Sequence, residues 1–67
     1  MRITINQQEF SCNSNTSLID ALQPVGIVDA RGVAVAVNNK VIPKSKWELH
    51  ILEENDKITI IRATQGG

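Results

Sequence analysis

"VAVAVNNKVIP", Val33 to Pro43, is the stretch on which the fold turns. Val33, Val35 and Val37 alternate with Ala34 and Ala36, the period of a strand that sets its larger side chains against a core. "NNK" reads as a turn and Val41-Ile42 as a short further strand. Pro43 has no N–H to donate to a ladder and stops that strand.

Upstream, Met1 to Asn6 alternates in the same way, with Ile3 and Ile5 on one face and Arg2, Thr4 and Asn6 on the other. Asn6-Gln7-Gln8 is read as a turn, after which Phe10 and Cys12 repeat the alternation, so the chain opens with a hairpin. Thr16 or Ser17 can cap a helix by accepting from its free N–H groups. Leu18, Ile19 and Leu22 supply the apolar stripe of that helix, which Pro24 and Gly26 keep short.

Downstream, Ser45 to Leu52 is expected to hold a helical turn with Trp47 and Ile51 on one side. "EENDK" is read as a turn in which Asn55 tolerates a left-handed backbone. Lys57 to Arg62 is the last strand, with Ile58 and Ile60 inward. One helix on one face of a mixed sheet is the simplest way to bury all these stripes, with the helix as the crossover that parallel pairing requires. This predicts an α+β, ubiquitin-like β-grasp fold with four to five strands. The domain is expected to span 1–62, followed by a flexible tail at 63–67.

Composition bounds the function. A chain of 67 residues has room for one core, and at this size roughly 60% of the unfolded surface is buried on folding, which argues against an enclosed active site. Seven basic and seven acidic side chains cancel, so neither nucleic acid nor an anionic membrane is an expected partner. The single cysteine makes no internal disulfide, and no apolar run approaches the ~20 residues that span a bilayer. A cytoplasmic address is expected.

"VNNKVIPKSKW" carries a further signal. With Asn38, the Val41-Ile42-Pro43 run, Trp47 and the terminal Gly66-Gly67, the chain resembles the ThiS family, the sulfur carriers of thiamine biosynthesis, over essentially its whole length. Two positions depart from the family pattern: Lys44 where arginine is frequent, and Asn55 where a turn glycine is common. Both keep the physical requirement, a positive charge and tolerance of positive φ.

The resemblance implies a protein co-substrate rather than an enzyme. A ThiF-like adenylyltransferase would use ATP to convert the carboxylate of Gly67 to an acyl-adenylate, and a persulfide donor protein would replace AMP and leave a thiocarboxylate. A ThiG-like thiazole synthase would then take the sulfur. No cofactor is expected on the chain itself. Ala63 to Gly67 spans ~16 Å when extended at ~3.3 Å per residue, against a domain radius of gyration of roughly 11 Å. Gly66, lacking Cβ, would give access to a narrow channel. The plain alternative is an ordinary glycine-containing end, and two glycines in the last two places arise by chance in roughly 0.5% of chains.

Ile61 falls on the side of its strand opposite Ile58 and Ile60, beside Thr59. If Ala34, Ala36 and Thr4 share that outer face, the sheet presents an uncharged surface beside the tail, a candidate docking site for the adenylating enzyme and thiazole synthase. Other residues invite blander readings. Cys12 is expected to be a buried structural thiol, His50 a surface or edge residue, and Trp47 a packing residue. Glu53, Glu54 and Asp56 are read as a solvated turn rather than a metal site. Lys40, Lys44 and Lys46 form a basic segment, read as solvated with partner contact as the alternative. Competing functions are the small subunit of molybdopterin synthase and a ubiquitin-like protein modifier, with a passive β-grasp binding module as a third class.

Overall fold

The computed structural model describes residues 1–26 and 32–62. β1 (Arg2–Ile5) and β2 (Gln8–Ser11) form the first hairpin. Asn6 and Gln7 join them with φ of 50° and 72°, the paired positive values of a tight turn whose twist suits the flanking strands. β3 (Val33–Val37) and β4 (Lys40–Val41) form the second hairpin, turned by Asn38 and Asn39 at φ of 52° and 69°. β5 (Lys57–Arg62) completes a five-stranded sheet of order β2-β1-β5-β3-β4. β5 runs parallel to β1 and antiparallel to β3.

α1 (Leu18–Leu22) is a helix of only five residues, too short to persist alone. Its amino end is held from outside. Ser17 Oγ accepts from the Asp20 N–H, while the Leu18 and Ile19 amides donate to the carbonyls of His50 and Trp47 at 2.8 and 3.1 Å. The groups that a helix start leaves without partners are therefore satisfied by the 44–52 segment. A 3₁₀ turn at Gln23–Val25 contains Pro24, and Gly26 at φ 80° ends it, as the sequence signals require.

Leu18, Ala21 and Leu22 bring the helix onto Ile3, Ile5, Val35, Val37 and Ile58 of the sheet. The valines of β3 point inward as expected: Val35 and Val37 are buried, and Val33 packs at the core margin. Ile58 is fully buried and Ile60 is half-buried against the same cluster. Phe10 and Cys12 also pack at the margin. Ile42, one residue past β4, donates its amide to the Val35 carbonyl at 2.9 Å and joins the core.

The 44–52 segment departs from the expected helical turn. A 3₁₀ turn at Lys44–Lys46 leads into turns rather than an α-helix, so Trp47 and Ile51 do not share a side. Trp47 is 2% exposed and donates its indole N–H to the Ile42 carbonyl at 2.8 Å. Ile51 is 48% exposed and pairs across an isolated bridge with Ser17, and Leu52 takes the inward place instead. Asn55 has φ 69°, the left-handed conformation expected of it.

Candidate functional site

β5 is the element that positions the site. Its alternation sends Ile58 and Ile60 to the core, which leaves Thr59 and Ile61 on the opposite face. The antiparallel register then decides their neighbours. Ala34 lies opposite Ile61 and Ala36 opposite Thr59. All four residues of the expected docking face are thus brought onto one side of one strand pair.

Val41 extends this face and was not assigned to it from sequence. It lies directly opposite Ala36 across the second hairpin, and it is 62% exposed. The signal was present: a two-residue turn at Asn38-Asn39 fixes the register, so Val41 must share a side with Ala36. Thr4 pairs with Lys57 in the parallel β1–β5 ladder, so that end of the same face carries a cation beside a hydroxyl. The surface grades from polar at β1 to apolar at β3, β4 and the far end of β5.

Ile61 is 53% exposed, while Ala36, between Thr59 and Val41 in the ladder, is buried. Along Ala34, Ala36, Thr59, Ile61 and Val41 the only polar side-chain group is the Thr59 hydroxyl. Such a surface has no acid or base for proton transfer. It suits association, because burying it releases water at small desolvation cost. Residues 63–67, with Gly66 and Gly67, follow Arg62 and lie outside the described residues, as does the expected boundary between domain and tail.

The other candidates are placed as follows. Cys12 is a free, half-buried thiol whose amide donates to the Met1 carbonyl. His50 is half-buried, with its carbonyl committed to the start of α1. Asp56 corrects the expectation of a wholly solvated acidic turn. It is buried, with Oδ1 accepting from Asn38 Nδ2 at 2.9 Å and Oδ2 accepting from the Glu53 amide at 2.8 Å. Asn38 Oδ1 in turn accepts from the Lys57 amide at 2.9 Å, so Asn38 and Asp56 together clamp the start of β5. Glu54 is exposed and its Oε2 accepts from the Arg2 amide at 2.6 Å. Among the described residues no group of three or more His, Cys, Asp or Glu is placed to hold a metal ion. No helix among them is long and apolar enough to cross a membrane.

Comparison with known proteins adds the biological setting. The model of the ThiS family matches residues 2–67. The sulfur carrier protein ThiS of Escherichia coli (strain K12) is 28% identical over 67 residues, covering 100% of both chains. The crystal structure of the thiamine biosynthesis protein ThiS from Geobacter metallireducens superposes with a TM-score of 0.81 at 17% identity, covering 100% of both chains. An NMR solution structure of a thiamine biosynthesis protein from the same organism gives 0.75 at 17% identity, covering 100% of this chain and 88% of that one. These superpositions establish the β-grasp fold.

Proposed function

The chain belongs to the ThiS family, sulfur carriers of thiamine biosynthesis rather than catalysts, and on that premise we propose that Gly67 is the residue that carries the sulfur. A carboxylate resists nucleophiles because its carbon is electron-rich and oxide is a poor leaving group. In the proposed cycle a ThiF-like adenylating enzyme lets a carboxylate oxygen of Gly67 attack the α-phosphorus of ATP, and pyrophosphate leaves. The mixed anhydride now has AMP as a good leaving group. A persulfide sulfur from a donor protein displaces AMP to give an acyl disulfide, and a thiol reduces its S–S bond to release the thiocarboxylate. A ThiG-like thiazole synthase then accepts that sulfur. The chain itself holds no cofactor in this cycle, and ATP belongs to the adenylating enzyme.

Gly66 and Gly67 suit the task because a backbone without Cβ passes a narrow channel and adopts angles closed to other residues. Five residues, 63–67, reach ~16 Å when extended. Both enzymes are proposed to dock on the face of Ala34, Ala36, Thr59 and Ile61, with Val41 at its margin. The observation that carries this reading is the register of β5. It sets an uncharged surface on the strand that leads directly into residues 63–67.

Intact mass spectrometry is the test. The protein is incubated with the adenylating enzyme, ATP and a persulfide donor, and the expected product has one oxygen replaced by sulfur at Gly67. Deletion of Gly67, or Gly66→Val, is expected to abolish adenylation. Adenylation of the truncated protein at the wild-type rate would refute the assignment.

A further inference from the structure

A second surface lies around the edge of the sheet from the docking face. Val41, Ile42, Pro43 and Leu49 line a groove there together with Lys40, Lys46 and His50. Leu49 is 74% exposed, the most open of the large apolar side chains among the described residues. It does not sit on a loose loop. The Leu49 and His50 amides both donate to the Lys46 carbonyl, at 3.1 and 2.9 Å. Below them Trp47 is buried and bonded to the Ile42 carbonyl. The core therefore holds Leu49 outward, and a partner meets a groove already formed, with little ordering cost at binding.

Four apolar residues and two lysines line the groove, and no acidic side chain among the described residues does. In a chain whose formal charge is zero, that is a local segregation of charge. Its complement is a segment with one apolar side chain flanked by carboxylates. Val41 belongs to both surfaces, since it faces outward opposite Ala36 and also flanks the groove. A body seated on the sheet face therefore meets, at Val41, a residue that also lines the groove.

We propose that this groove is a second anchor for the adenylating enzyme, filled by an acidic segment of that enzyme carrying an apolar side chain. The inference rests on the carrier reading above. Its physical reason lies in the adenylation step, where a carboxylate must be held against the polyanionic triphosphate of ATP. The energy for that unfavourable approach has to come from contacts remote from the reacting end. Thiazole synthase receives an end already activated with sulfur and meets no triphosphate, so it has no such requirement. The groove is therefore assigned to the adenylating enzyme alone.

Two variants probe the groove, Leu49→Asp and the double variant Lys40→Glu with Lys46→Glu, and Ile61→Asp probes the sheet face. Affinities for the purified adenylating enzyme and for thiazole synthase are measured by isothermal titration, with thermal melting as the check on folding. Leu49→Asp is expected to weaken binding to the adenylating enzyme roughly tenfold or more, the scale of losing one buried apolar anchor. The lysine double variant is expected to weaken it also, with a smaller salt dependence than wild type. Binding to thiazole synthase is expected to stay unchanged in both. Wild-type affinity of the groove variants for the adenylating enzyme overturns the proposal, as does a loss for both partners or for thiazole synthase alone. Because Ile61→Asp reports separately on the sheet face, failure of the groove assignment is distinguishable from failure of the docking-face reading.

Discussion

Asn6 gives β5 two successive hydrogen bonds, its amide donating to the Ile58 carbonyl at 2.9 Å and its Oδ1 accepting from the Ile60 amide at 2.8 Å. The side chain thereby extends the parallel β1–β5 ladder past the point where the backbone of β1 turns away. This holds Ile60 in register, and with it the outward Thr59 and Ile61. Asn6→Gly keeps the positive φ of 50° but removes the acceptor. It is expected to cost about 1 kcal/mol in urea denaturation and to speed hydrogen exchange at the Ile60 amide. Asn6→Asp retains the oxygen and is expected to keep that amide protected.

Trp47 is read as packing and not as a ligand platform, and its burial and bond to Ile42 agree. Trp47→Phe removes the indole N–H, leaves the Ile42 carbonyl without that donor, and underfills the site. The expected loss is about 2 kcal/mol by circular-dichroism melting, combining an unmet hydrogen bond with a small cavity. A loss below ~0.5 kcal/mol would show that the core there repacks freely.

Asp56 clamps the start of β5 through both carboxylate oxygens. Asp56→Ala removes the acceptor of both the Asn38 amide and the Glu53 N–H at a part-buried site, and is expected to cost about 1 kcal/mol. Asp56→Asn keeps one acceptor oxygen and is expected to fall between wild type and alanine. Equal stability of all three proteins, by denaturant midpoint, would remove the clamp from the account.

Ile61 is more than half exposed and contributes little to the core, so Ile61→Asp is expected to change stability by no more than ~0.5 kcal/mol. The same charge placed among Ala34, Ala36 and Thr59 must be desolvated when that face is covered. Binding to the adenylating enzyme and to thiazole synthase is expected to weaken together. Wild-type affinity for both in a folded Ile61→Asp protein would remove this face as the docking site.

The parts of the fold that depend on neighbouring residues were legible in the sequence. Alternation named the inward valines of β3 and the bounds of β5, the Thr16-Ser17 pair announced α1, of which Ser17 is the cap, and Asn55 announced its left-handed turn. The outward grouping of Thr59, Ile61, Ala34 and Ala36 was legible too, since it needs only period two and a register. The failures share one cause. Asp56 resembles any charged turn residue until Asn38, 18 positions away, folds against it. Ile51 has helical spacing from Trp47, but the Trp47 and His50 carbonyls accept from the Ile19 and Leu18 amides at the start of α1, and the 3₁₀ turn at Lys44–Lys46 does not continue as an α-helix through Ile51. Leu49 is held outward by turn geometry that its own identity does not announce.

The strand order has a consequence for how the molecule comes into being. The two hairpins share no rung with each other, and each is joined to the sheet only through β5. A nascent chain that has not yet released residues 57–62 holds two half-sheets without a keystone, each marginal in water by itself. The sheet is thus completed almost together with the synthesis of Gly67, the residue proposed to carry the sulfur. A chain cut short before its keystone would lack both the proposed docking face and the proposed loading end, so under that proposal an incomplete product is kept out of the sulfur relay by its own topology.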